Sequence, residues 1–239
     1  MSRRRRRSGQ ERVRGSLTPM RPFYWTIVTI ARTAIHLLWW PRYVGRENLP
    51  TGPYLICANH RSWFDPPFVA IVIPREVGFL AKAELFKNPF FGKLIWALNA
   101  RPIKRGVVDR NAIDQVLAHL KNNIPVVTFP EGTRSRDGKM HAPKPGIGML
   151  ARLAGVPVVP IYIKGSFKMS HRPFFWGSLE ARVGDPIPLS EIQSFPDDKD
   201  GYRALSRRIM EHICALSDDP EVDRADALAE PIVGQEPAL

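Results

Sequence analysis

Two short stretches of this 239-residue chain combine residue types suited to proton and phosphate chemistry. The first is Asn-His-Arg-Ser-Trp-Phe-Asp at 59–65, directly after an apolar run at 54–58. His60 and Asp65 are five positions apart, a spacing that lets them meet across a tight turn at a helix start. A carboxylate holding one imidazole nitrogen leaves the other free as a base. Ser62 lies between them without the flanking glycines of a nucleophile elbow. The pair therefore fits a base that activates a substrate's own hydroxyl, with no covalent intermediate. A capped helix start would show the same two residues.

The second stretch is Phe-Pro-Glu-Gly-Thr-Arg-Ser at 129–135, again after an apolar run, at 126–129. Gly132 permits a sharp turn, and Arg134 is a planar donor fork matched to phosphate. Glu131 can position Arg134 or a substrate hydroxyl, and Thr133 lies between them. Lys82, Arg101, Lys104 and Arg105 fall between the two stretches and are candidate phosphate contacts, with Lys104 and Arg105 both open for the same role. Further on, Val156-Pro157-Val-Val-Pro160 is a proline-bounded apolar run, and a proline inside a strand marks an edge or a bulge. The six histidines show no metal-ligand spacing, and Cys57 and Cys214 stand alone, so no metal and no disulfide scaffold is expected.

These residues need a scaffold. Strand-like runs occur at 54–58, 77–80, 126–129, 156–163 and 179–183. Helical periods lie between them: Ile113, Val116, Leu117 and Leu120; a short apolar helix at 147–154 stopped by Gly155; and Leu205, Ile209, Ile213 and Leu216. The alternation predicts an α/β fold with a mixed, mostly parallel central sheet flanked by helices. Ligands then gather at loops beyond the strands' carboxyl ends, where both motifs fall.

The net charge of +12 is unevenly spread. Residues 1–21 hold eight arginines and one acid, +7; residues 217–239 hold seven acids and one arginine, −6; the body carries 12 − 7 + 6 = +11. Residues 1–22 read as a disordered basic tail and 217–239 as a disordered acidic one. Residues 23–45 read as an interfacial helix, with Ile27, Ile30, Ala31, Ala34, Ile35 and Leu38 on one face and Thr26, Thr29, Arg32, Thr33 and His36 on the other. Arg32 inside the apolar run argues against spanning a bilayer, and Trp25, Trp39 and Trp40 suit its interface. A basic cluster beside an apolar face makes a two-signal anchor on an anionic membrane surface. The expected location is the cytoplasmic face of the cell membrane, peripheral or monotopic. A basic nucleic-acid-binding protein is the alternative from charge alone; no nucleic-acid motif supports it. The catalytic unit is placed at 46–216.

The blocks around His60, Lys82, Glu131 and Val156, in that order, resemble those of the glycerolipid acyltransferase family. His60 and Asp65 are similar to its HX4D motif, and residues 129–135 to its third motif. The resemblance covers about residues 40–190. It implies that His60 takes the proton of the sn-2 hydroxyl of lysophosphatidic acid while Asp65 orients it. The alkoxide would attack the thioester of acyl-CoA or acyl-carrier protein, with no cofactor beyond that co-substrate. Lys82, Arg105, Glu131, Gly132, Thr133 and Arg134 would hold the glycerol phosphate, and Val156, Pro157 and Pro160 would line the acyl site. Lyso-ornithine lipid and lysophosphatidylglycerol are alternative acceptors.

Overall fold

The computed structural model describes residues 22–104, 109–167, 179–218 and 220–228. Residues 1–21 and Arg105 lie outside the described residues. A seven-stranded sheet is built from β1 (Arg42–Val44), β2 (Leu55–Ala58), β3 (Gly78–Lys82), β4 (Ala100–Ile103), β5 (Val126–Thr128), β6 (Val158–Lys164) and β7 (Glu180–Val183). Its order is β1-β7-β6-β2-β5-β3-β4, parallel throughout except for the antiparallel pair β6–β7. This is the expected mixed, mostly parallel sheet.

Alternation along β2 divides the interior. Ile56 and Ala58 join a core with α1 (Pro22–Trp39) and α2 (Asp65–Val72) on one face. Leu55 and Cys57 join a core on the other, with α4 (Arg110–Lys121), α5 (Pro145–Ala154), α6 (Leu189–Ser194), α7 (Lys199–Cys214) and α8 (Pro220–Leu228). Helix α3 (Pro89–Ala97) follows β3. Burial on both faces explains why β2 reads as an unbroken apolar run.

Three expectations change. Pro160 does not mark an edge, because β6 lies between β7 and β2. Its carbonyl accepts from Gly184 N at 2.9 Å, and two residues of β6 face three of the partner between Val158↔Ile187 and Ile161↔Val183, so Pro160 lies at a bulge, the other half of that expectation. Having no N–H, Pro160 cannot return a bond to Gly184. The amino-terminal segment is not separate from the catalytic unit either. Tyr24, Val28, Ile35 and Trp39 of α1 are buried in the core, Arg32 Nη2 donates to Ile71 O at 3.2 Å, and Arg42–Val44 join the sheet as β1. Of the face read as membrane-facing, Ile35 is buried in the core while Ile30 and Leu38, with Leu37, face outward. Finally, the acidic segment after Ser217 contains a helix, α8. Its Ala227 is fully buried and its Leu228 packs against the second core.

Candidate active site

His60 lies two residues beyond the end of β2, and Asp65 opens α2, with prolines at the next two positions. Four residues must turn the chain between them, and the Asp65 carboxylate is the centre of that turn. Its Oδ2 accepts from His60 Nδ1 at 2.9 Å and from the backbone N–H groups of Arg61 and Ser62, both at 2.7 Å. Asp65 is fully buried, where an uncompensated carboxylate would be costly; three donors and a helix amino terminus stabilise the anion. A carboxylate partner assigns the proton of His60 to Nδ1 and leaves the Nε2 lone pair free. The His60 side chain is 11% exposed.

Three further contacts fix this turn. Asn59 spans to β6, donating through Nδ2 to Ile163 O at 3.0 Å and accepting from Ile163 N at 2.7 Å. Phe129, just after β5, stacks on the His60 ring with centroids 4.1 Å apart and planes 21° apart. Ser135 N donates to His60 O at 2.8 Å, tying the two motif loops together.

Glu131 is placed differently from its sequence reading. It is 2% exposed; Oε1 accepts from His60 N at 2.8 Å and Oε2 from His141 N at 3.3 Å. With both oxygens taken by backbone donors, it braces the loop behind His60 and is not free to position Arg134 or meet a phosphate. Burial pushes its carboxyl up to about 8 despite the N–H donors of His60 and His141. Gly132 has φ +71°, the left-handed conformation its turn requires, and its N–H donates to Phe129 O at 3.0 Å. Thr133 is exposed. The Arg134 guanidinium lies 4.5 Å from the ring centroid of Trp63, itself 65% exposed, so cation–π contact joins the second motif to the first.

The other predicted residues are dispersed. Lys82 closes β3, half-exposed, 3.6 Å from Glu84. Pro160 is buried at mid-strand opposite Cys57. Val156 and Pro157 precede β6, at the level where Val158 meets Leu55. Leu55 is five residues before His60, a separation of roughly 16 Å along the strand, so the structure does not bring them to the imidazole. The sequence reading missed Asn59, Phe129 and Trp63 as supports, although all three sit inside or beside the motifs. Among the described residues no cluster of three His, Cys, Asp or Glu could hold a metal, and no helix is long and apolar enough to cross a membrane.

Residues 41–164 match a family model described as Acyltransferase. A 1-acyl-sn-glycerol-3-phosphate acyltransferase of Streptococcus pneumoniae is 27% identical over 213 residues, covering 85% of this chain and 78% of the relative. The enzyme of that name from Bacillus subtilis is 26% identical over 173 residues, 72% and 85% of the two chains. A crystal structure of the 1-acyl-sn-glycerophosphate acyltransferase PlsC from Thermotoga maritima superposes with a TM-score of 0.62 at 28% identity, covering 78% of this chain and 76% of that one.

Proposed function

The chain belongs to the acyltransferase family, and from that premise we propose that it acylates the sn-2 hydroxyl of lysophosphatidic acid to give phosphatidic acid. The observation that carries the reading is the 2.9 Å bond from His60 Nδ1 to buried Asp65, which leaves Nε2 as a base held in one orientation. Nε2 takes the hydroxyl proton as the oxygen attacks the thioester carbonyl of acyl-CoA or acyl-carrier protein. The tetrahedral intermediate collapses, the C–S bond breaks, and the thiolate recovers the proton from the imidazolium. Asp65 stabilises that imidazolium. General-base catalysis of this kind supplies roughly 10²–10⁴-fold, and positioning of the two substrates supplies much of the rest.

Arg134 is assigned to the acceptor phosphate. Held on Trp63 with no carboxylate partner among the described residues, it is a guanidinium ready for an anion. Arg105 and Lys82 are proposed as further phosphate contacts, Thr133 and Gly132 as parts of the turn around it, and Val156, Pro157 and Pro160 as the floor of the acyl site. The names of the relatives favour lysophosphatidic acid over other lysolipids.

We also propose that the protein works on an anionic membrane surface, at the cytoplasmic face. The outward side of α1 bears Phe23, Ile30, Leu37 and Leu38, and α3 exposes Phe90, Phe91, Leu94 and Trp96 beside Lys87 and Lys93. Aromatic and basic residues together suit a head-group interface.

The acceptor is tested by offering labelled acyl-CoA and acyl-carrier protein with lysophosphatidic acid, lysophosphatidylglycerol and lyso-ornithine lipid, and identifying products by mass spectrometry. Phosphatidic acid as the main product supports the reading; acylation confined to the other acceptors overturns it.

A further inference from the structure

The residue after His60 is tied to the far end of the chain. Arg61 Nη2 lies 2.8 Å from Asp223 Oδ1 of α8, and both side chains are only 14% exposed. Arg61 Nη1 donates to the Tyr162 hydroxyl of β6 at 3.3 Å, and that hydroxyl donates to Asp223 Oδ2 at 3.4 Å. The guanidinium carbon lies 5.5 Å from the Tyr162 ring centroid. A second link runs from Asp226, one turn along α8, to Lys139 at 3.1 Å, in the loop that carries Arg134. That pair is well exposed on the lysine side and contributes little.

A guanidinium this shielded is stable only when paired, and removing one member of a buried pair leaves an uncompensated charge that must find water. Arg61 cannot swing outward without cost to the base. Its backbone N–H is one of the three donors on Asp65 Oδ2, the oxygen that also holds His60 Nδ1. A displaced Arg61 therefore tilts the carboxylate that orients the imidazole. Helix α8 lies beyond the 41–164 match that defines the family.

We propose that α8 is a carboxyl-terminal clasp in which Asp223, acting through Arg61, positions the turn that carries His60. Asp223 is a positioning residue and touches no reacting atom. The proposal rests on His60 being the base, and its test separates the two. In the full-length, substrate-free protein, NMR of the His60 imidazole reads the Nδ1–H bond to Asp65 whatever the acceptor. In Asp223→Ala that resonance broadens or moves while the unfolding midpoint is largely kept. Turnover with lysophosphatidic acid falls about tenfold in kcat, with KM within about twofold, because only the orientation of the base is lost. Asp223→Asn keeps the shape and loses the charge, so it shows the same change to a smaller degree. It also decides the matter if the alanine variant is insoluble. The Arg61→Ala/Asp223→Ala double variant is no slower than Arg61→Ala alone, since one residue acts through the other. An unchanged imidazole spectrum, an unchanged or raised kcat, or losses that add in the double variant would overturn the clasp. Absence of transfer to lysophosphatidic acid by the unaltered protein would overturn the acceptor reading alone.

Discussion

Asp65→Asn removes one charge and keeps the size and shape of a fully buried side chain. Three donors converge on Oδ2, at 2.9 Å from His60 Nδ1 and 2.7 Å from two backbone N–H groups. The amide oxygen can still accept from them, but each bond changes from a charged to a neutral acceptor, a loss of about 1 kcal/mol apiece. Fold stability falls by about 1–3 kcal/mol, because the donors keep an acceptor. Catalysis loses more. The carboxylate holds the Nδ1–H tautomer and stabilises the imidazolium by its charge, whereas a neutral amide oxygen on the same three donors supplies no charge to stabilise it. We expect kcat to fall by about 10²–10⁴ with little change in KM for lysophosphatidic acid. The assay is thiol release from acyl-CoA on vesicles, with the unfolding midpoint measured alongside. A kcat within about threefold of the unaltered protein, or a loss confined to KM, would refute the assignment of Asp65 as the orienting group.

Arg134→Ala removes a charge-assisted bond worth about 1.5–3 kcal/mol and should raise KM for lysophosphatidic acid by roughly 10–100-fold, whereas Trp63→Ala, which loses only the cation–π support, should raise it less. Steady-state titration of the acceptor checks both. The Glu131 carboxyl is raised in the fold from its ordinary 4.5 to about 8, so its contribution to stability is complete below about 4.5 and is lost as pH rises through about 8. Glu131→Gln cannot ionise, and its unfolding midpoint should decline less between pH 5 and pH 9 (about the span of the two values) than that of the unaltered protein; parallel curves would count against it. For the membrane, replacing outward-facing Ile30, Leu37 and Leu38 by serine should leave the fold intact and weaken sedimentation with anionic vesicles; unchanged sedimentation would exclude that face.

What the sequence could and could not reveal follows from local versus distant causes. Strands β2, β5 and β6 were legible because residues buried on both faces give apolar runs, and α4 and α7 because one face of each meets the core. The edge strand β4 escaped notice: Ala-Arg-Pro-Ile has no apolar run, and an edge tolerates its proline. Of helix α2 only the start at Asp65 was legible; its body, buried from Phe68 to Val72, has no polar side to mark a period. His60 and Asp65 were visible as a local pair. The demotion of Glu131 from ligand to brace was not, because it depends on His141, ten residues away, and on burial that only the fold creates. Nor was the helix at 220–228, whose polar composition conceals Ala227 against the core and Asp223 beside Arg61, 162 positions earlier.

The central claim is that His60 is the base for acyl transfer to a lysophospholipid hydroxyl. The most direct measurement follows phosphatidic acid and free thiol together from purified protein, lysophosphatidic acid and a labelled acyl donor. The unaltered protein should release one thiol per phosphatidic acid formed. His60→Ala should lose most of both products while melting and binding vesicles as the unaltered protein does. Turnover near that of the unaltered protein in His60→Ala would contradict the account.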